Sequence, residues 1–352
     1  MPSPDVIVVG AGICGAAAAR CLAERGREVL VLDRGPIASG SSSRGEGNVL
    51  LCDKPPGPER DLAIPGRALW ESLGVRFPAG RVTRPGALLL GTGGARFESA
   101  LGTVLDAGET AALEPALAPG VVAVHEPGDL MVDAPGMARA LLEGIAVRTG
   151  AAVAAVGTGE VALAGGERVA GTDVVVCAGA WSGSLIGLPV QPRKGQLVAL
   201  AAPPGLVRHK LIEAAYVDAV AAADSGLQVA SVIEQTLDGD ELLVGSSRER
   251  VGFDESVSEA VTAAMLQRAA RWVPAIAGLE VRRAWAGLRP WLPDHRPAIG
   301  PLGERVWTST GHEGSGVCLG PVSGLLLAQL MCGEEPIADP APFDPRRFGR
   351  GG

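Results

Sequence analysis

No block of Lys or Arg occurs anywhere in the 352 residues, and the formal net charge is −8. A nucleic-acid surface needs a basic stripe to neutralise phosphates, so no nucleic-acid partner is expected. No cysteines stand at C-x-x-C spacing: Cys14, Cys21, Cys52, Cys177, Cys318 and Cys332 are scattered. That absence removes zinc and iron–sulfur frameworks and predicts free thiols in a reducing cytoplasm. Met1-Pro2-Ser3-Pro4-Asp5 carries no basic residue before the first apolar run, so no secretory signal is expected. The most apolar late stretch, 317–332, has 16 residues and includes Ser323 and Gln329. It is short for a membrane span and reads as a buried helix. What is abundant is Gly (50 residues) and Pro (27), without a fixed period. Collagen-like and low-complexity classes are thereby excluded, and many tight turns are predicted. The length exceeds what one hydrophobic core serves, so two intertwined domains are expected.

Residues 6–9 form a continuous apolar run bounded by Gly10, the pattern of a buried parallel strand. An Ala-rich helix over 13–25 stops near Gly26, and a second strand over 28–32 ends at Asp33, completing a βαβ unit. A long Gly/Ser loop follows at 35–48, a length that points to function. Helices are predicted at 59–73, at 133–149 (Asp133 as N-cap, Gly150 as stop) and at 256–272. Strands are predicted at 173–177, 196–200, 228–234, 241–246, 279–288 and 305–309, with Asp238-Gly239 as a hairpin turn. Nucleotide-type segments thus occur early, in the middle and at the end of the chain, around an antiparallel block. The expected fold is α/β: a doubly wound Rossmann-type domain from 1–85, 133–190 and 293–345. An antiparallel-sheet substrate domain from 86–132 and 191–292 is inserted into it.

Gly10-x-Gly12-x-x-Gly15 lies between the first strand and helix, and Asp33 follows Gly15 by 18 residues. Gly10 permits the tight turn, Gly12 admits a pyrophosphate to the backbone, and Gly15 allows close helix–strand packing. The helix N-terminus offers partial positive charge to phosphates. Asp33 accepts hydrogen bonds from a ribose diol and repels a 2′-phosphate, which disfavours NADP. The motif alone does not separate NAD from FAD. The hydroxyl and backbone donors of Ser42, Ser43, Arg44, Gly45, Glu46 and Gly47 suit a longer cofactor.

With these residues in place, the chain resembles the amine-oxidising FAD family of D-amino acid oxidase, glycine oxidase and sarcosine oxidase. The resemblance runs nearly end to end, through VIVVGAGICGAA (6–17), LVLDRG (30–35), SGSSSRGEGN (39–48), DVVVCAGAWS (173–182), RKGQL (193–197), WAGLRPWLPDHRPAIG (285–300) and TGHEGSG (310–316). Segments 45–59 and 242–254 are similar to flavin subunits of proline, hydroxyproline and opine dehydrogenases and of hydrogen cyanide synthase. The resemblance implies non-covalent FAD, its ADP part held by Gly10, Gly12, Ile13, Cys14 and Gly15 with Asp33 and Arg34. Ser42 to Gly47 would follow the pyrophosphate toward the flavin, and Ala178, Gly179 and Trp181 would flank the cofactor. Gly311, His312, Glu313, Gly314, Ser315, Gly316 and Val317 would reach the isoalloxazine ring, where backbone N–H groups stabilise charge on the reduced flavin.

The resemblance also implies oxidation of a small amino acid or amine by hydride transfer to flavin N5, giving an imine. Arg289 matches the family's carboxylate-clamping arginine, a task that suits a guanidinium. His312, beside the flavin-facing loop, is the second catalytic candidate, and Tyr216, the only tyrosine, is a candidate lid residue. The covalent-flavin cysteine of sarcosine oxidase falls near Gly287, its oxygen-activating lysine near Leu243, and the second arginine of glycine oxidase near Gly314. Electrons would pass to O2 or to a partner acceptor, the latter if the chain is the flavin subunit of a multi-subunit dehydrogenase. A non-catalytic nucleotide-binding module is the reading from another class, which fold alone does not exclude.

Overall fold

The computed structural model describes residues 3–92, 97, 101–215 and 226–349. Tyr216 lies outside the described residues.

Val6–Val9, Val29–Leu32 and Asp173–Val176 are short, apolar and almost wholly buried, so they pair in parallel at the centre of a six-stranded sheet. The order is Ala298–Gly303, Val306–Thr310, Asp173–Val176, Val6–Val9, Val29–Leu32, Ala146–Arg148. Only the first pair is antiparallel. Connections leave Val6–Val9 in both directions, which opens a crevice at the carboxyl ends of the strands.

Helices Ile13–Ala23 and Gly316–Cys332 pack together on one face of this sheet. Ala16 to Ala19 supply a surface so low that Gly324 sits on the backbone of Ala17 and Ala18, leaving no room for a Cβ. The predicted buried helix at 317–332 is therefore present. The segment Glu313–Cys332 is long and apolar enough to cross a membrane by length and composition, but 56% of its apolar window is buried inside the protein. The opposite face of the sheet is covered by a three-stranded meander, Val153–Gly157, Glu160–Leu163 and Arg168–Ala170, which shares a core with Ile7, Val9 and Val174.

A second sheet has eight strands in the order Val281–Trp291, Gln191–Ala201, Glu241–Arg248, Gln228–Gln235, Lys210–Glu213, Ala87–Gly91, Val122–Glu126, Thr103–Leu105. All its pairs are antiparallel except Lys210–Glu213 with Ala87–Gly91. It has its own apolar core, including Leu88, Leu200, Ile233 and Val244, under helix Glu259–Ala269.

One expectation fails in part. The helix read over 133–149 ends at Leu141, and Ala146–Arg148 is instead the edge strand beside Val29–Leu32. Asp133 is the N-cap as expected, accepting from Gly136 N at 2.8 Å. The helix gives way to a turn through Gly144 (φ +75°), and the turn at Gly150 (φ +70°) follows the strand instead, because strand pairing at the sheet edge outweighs helix propensity there.

Candidate active site

The first glycine turn is forced by contact. Gly10 has φ +111°, and a Cβ there would strike the Cys177 carbonyl; a Cβ on Gly15 would strike the Gly10 carbonyl. Gly12 is the N-cap of helix Ile13–Ala23, without a side-chain cap or an acidic residue in the first turn. Ser42 Oγ accepts from Ile13 N at 3.0 Å, drawing the Ser-rich loop onto the helix end. Asp33 accepts from Ala11 N at 2.6 Å and Gly35 N at 2.8 Å, which fixes its carboxylate at the end of its strand.

The Ser-rich loop also reaches the second sheet. Ser41 Oγ donates to Leu288 O at 2.5 Å, and Trp285 Nε1 donates to Arg44 O at 3.1 Å. Gly287 lacks a Cβ where the Arg44 side chain lies. The loop is thus clamped between the two sheets. Arg34 stacks on Trp181 at 3.4 Å, and Phe253 stacks on Trp181 with ring centroids 5.2 Å apart.

At the other end of the chain, helix Gly316–Cys332 also begins without a side-chain cap or an acidic first turn. Pro321 has no N–H to offer the Val317 carbonyl, and Trp70 Nε1 fills that role at 3.0 Å. Ser315 is tied to Glu59. His312 is buried, with Nε2 3.0 Å from Ser323 Oγ and Nδ1 3.8 Å from Cys14 Sγ. Its two ring nitrogens join the late loop to its own helix and to the Gly10–Gly15 turn. Burial pushes its pKa down to about 4, so the ring is neutral at physiological pH. Its stabilising contribution is therefore whole above its ordinary pKa and is lost as pH falls toward 4. From about pH 7 to about pH 5 the loss should approach 2 kcal/mol. His312→Gln should flatten the fall in Tm over that interval; an equal fall in both proteins would refute the assignment.

Glu313, in the loop expected to reach the flavin, is buried, at 9% exposed. Its carboxylate takes Arg193 at 2.5 Å and His295 Nδ1 at 3.1 Å. Burial alone would raise its pKa, but the hydrogen bond from His295, with the fields of Arg193 and Arg248, holds it below the ordinary range. Glu46 accepts from Asn48 Nδ2 at 3.1 Å, and burial raises its pKa. Lys210 contacts both Asn48 and Glu234, and burial pushes its pKa down to about 7. Arg289 lies across Gly195, which has no Cβ to block it, and donates from Nη1 to Ser247 O at 3.0 Å.

These pieces line one continuous cavity of about 660 Å³, within the range of small-molecule sites. Gly10, Gly12, Ile13, Cys14, Asp33 and Arg34 meet Ser42, Arg44, Gly45, Glu46 and Gly47 in its wall. Ala178, Gly179, Trp181, Arg289, His312, Glu313, Gly314, Ser315, Gly316 and Val317 also line it. Three expected residues do not line it. Gly15 packs on the Gly10 carbonyl, Ser43 turns to Gly40 O at 3.2 Å, and Gly311 (φ +76°) packs on Leu292. Sequence reasoning missed Arg248, Lys54, Gly195, Leu197 and His295, which also line the cavity. The Arg-Glu-Arg run at 248–250, closing an apolar strand, was the available signal for Arg248. The expected lysine position, Leu243, lies within strand Glu241–Arg248 and does not line the cavity, whereas Lys54 does, paired with Asp53 at 3.1 Å.

The cavity fits a flavin dinucleotide. It joins two uncapped helix N-termini through a glycine-lined passage, with Asp33 at one end and the arginines of the second sheet at the other. Fold and cavity together define a dinucleotide-dependent oxidoreductase built from a nucleotide sheet and a substrate sheet. The chain belongs to the family described as DAO, FAD dependent oxidoreductase, whose model matches residues 5–330. FAD is its cofactor. The chain is 30% identical to glycine oxidase of Geobacillus kaustophilus, covering 99% of this chain and 98% of that protein. It is 37% identical to glycine oxidase of Pseudomonas aeruginosa over 193 residues, about half of either chain (53% and 48%). The crystal structure of the Geobacillus kaustophilus glycine oxidase superposes with a TM-score of 0.84 at 28% identity, over 97% of this chain and 98% of that one.

Proposed function

We propose that the chain oxidises the C–N bond of a small amino acid or secondary amine of glycine, sarcosine or proline type, releasing an imine. The observation that carries this is Arg289, held over Gly195 in the wall of the same cavity as the 312–317 loop. A guanidinium there anchors a substrate carboxylate and turns the adjacent carbon toward the flavin end. The relatives named above, glycine oxidases, support an amino-acid substrate.

In this reading Gly10, Gly12, Ile13 and Cys14 receive the pyrophosphate at the helix N-terminus, with Gly15 enabling the turn and Asp33 taking the ribose. Ser42 to Gly47 and Ala178, Gly179 and Trp181 enclose the middle of the cofactor, and Arg34 covers Trp181. The 312–317 backbone meets the ring. FAD, bound without a covalent link, supplies the two-electron acceptor. The protein contributes orientation, exclusion of water and backbone N–H groups from helix Gly316–Cys332. His312, with both nitrogens engaged by protein groups, positions the loop. Electrons leave to O2 or to a partner acceptor. Six free cysteines fit a reducing, cytoplasmic setting.

The test is anaerobic mixing of the yellow protein with D- and L-amino acids, proline analogues and N-methylated amino acids. Bleaching by at least one of these is expected, and peroxide formed on admitting air marks an oxidase. A flavin that stays oxidised with the whole panel overturns the proposal.

A further inference from the structure

Between strand Glu241–Arg248 and helix Glu259–Ala269 the chain runs without regular structure over residues 249–258. Backbone of this kind has no ladder of its own, so side chains must hold it in place. Two side chains from the neighbouring strand Gln191–Ala201 do so. Lys194 Nζ donates to Asp254 at 2.8 Å, and Asp254 also accepts from Ser256 N and Ser256 Oγ, each at 2.9 Å. Gln196 accepts from Ser258 N at 2.6 Å and donates to Ser258 O at 3.2 Å. Ser258 in turn caps the helix, accepting from Val261 N at 3.4 Å. The hydrogen bond from Lys194, joined by those from Ser256, holds the Asp254 carboxyl down at a pKa of about 2, so this tie stays ionised through the physiological range.

Pinned to its own sheet at Asp254 and Ser258, the segment reaches the nucleotide domain between them and Arg248. Gly252 (φ +68°) turns the chain, and Phe253 stacks on Trp181, with ring centroids 5.2 Å apart and the planes 29° from parallel. Arg34 lies on the same indole at 3.4 Å. Phe253 remains 53% exposed, so burial of its own apolar surface does not account for its position. Contact with Trp181 does. Glu255, two residues further on, lines the cavity together with Trp181 and Arg34. The second sheet therefore contributes to the wall twice over, directly through Glu255 and indirectly through the ring that Trp181 rests on. Arg34 follows Asp33 in the chain, so the stacked group stands beside the residue that takes the ribose.

Resting on the cofactor placement above, we propose that residues 251–257 form a strap from the second sheet that closes over the ribose end of bound FAD. Phe253 is its positioning residue: it holds Trp181 against the cofactor, and FAD leaves when the strap lifts from that ring.

The experiment follows the return of flavin fluorescence as the FAD-loaded protein is diluted. Phe253→Ala should release FAD about fivefold faster, the scale of one aromatic pair. Phe253→Tyr keeps the ring and should restore slow release. Lys194→Met unties Asp254 and should act in the same direction as Phe253→Ala. Release from Phe253→Ala at the unaltered rate overturns the proposal, as does failure of Phe253→Tyr to restore it. A second measurement needs no variant to fold. Amide hydrogen exchange over 251–257 should slow by about threefold or more on adding FAD, relative to the adjoining helix Glu259–Ala269. Equal slowing of strap and helix, or none in either, overturns the strap. Failure of the cofactor placement is a separate result: Gly12→Val would then keep its full flavin, whatever the strap does.

Discussion

Replacing Arg289 by Met should lower kcat/KM for amino acids by about 10³-fold, equivalent to about 4 kcal/mol of lost transition-state binding. The size follows from where the guanidinium sits. It is half-buried in the cavity wall and laid over a glycine, with Ser247 O holding Nη1 at 3.0 Å. A bound carboxylate stripped of water and deprived of this partner forfeits a charge-assisted, bidentate bond. Arg289→Lys should recover only part, because an ammonium lacks the planar fork. FAD content should change little, since Arg289 is held to Ser247 O on the second sheet. Steady-state kinetics with flavin-normalised protein reads the effect, and an unaltered KM and kcat would remove Arg289 from the substrate site.

Gly12→Val should weaken FAD binding by about 100-fold while leaving the fold intact. A Cβ at Gly12 meets only Ser42 Oγ at 3.1 Å, a side chain that can yield. The rest of the valine enters the cavity where the helix N-terminus is open. Gly15 is different: its Cβ would strike the Gly10 carbonyl, and a valine there should prevent folding. Far-UV circular dichroism with flavin absorbance separates the two cases. The Gly12→Val protein should show native ellipticity, little yellow colour and no rise in Tm on adding FAD. Full flavin occupancy in that variant would place the pyrophosphate elsewhere.

Much of the nucleotide half was legible because its signals are local. Val6–Val9, Gly10 to Gly15 and Val29–Leu32 are contiguous, and an apolar run, a turn requiring φ above zero and an Ala-rich helix each report their own geometry. The late apolar helix was legible for the same reason. The second sheet was read only where a hairpin or long run marked it. Strand Gln191–Ala201 begins five residues before the predicted start at 196, since Pro192, Arg193 and Lys194 carry no β signature. Lys210–Glu213 and Ala87–Gly91 pair in parallel across a wide sequence gap, which no local pattern announces. Ala146–Arg148 lies in a stretch whose local pattern reads as helix, and its role as an edge strand depends on a partner more than a hundred residues earlier.

The amino-acid order alone determined the nucleotide turn, the acid after the second strand and the identity of the late helix, because each is set by steric limits and periodicity within a few residues. Only the tertiary structure decided that Gly195 clears a path for Arg289, that Arg248 lines the same cavity, and that His312 turns both nitrogens to protein partners. Those facts arise from register between distant strands and from the docking of one sheet on another, and a one-residue slip in either would send the same side chains to the opposite face.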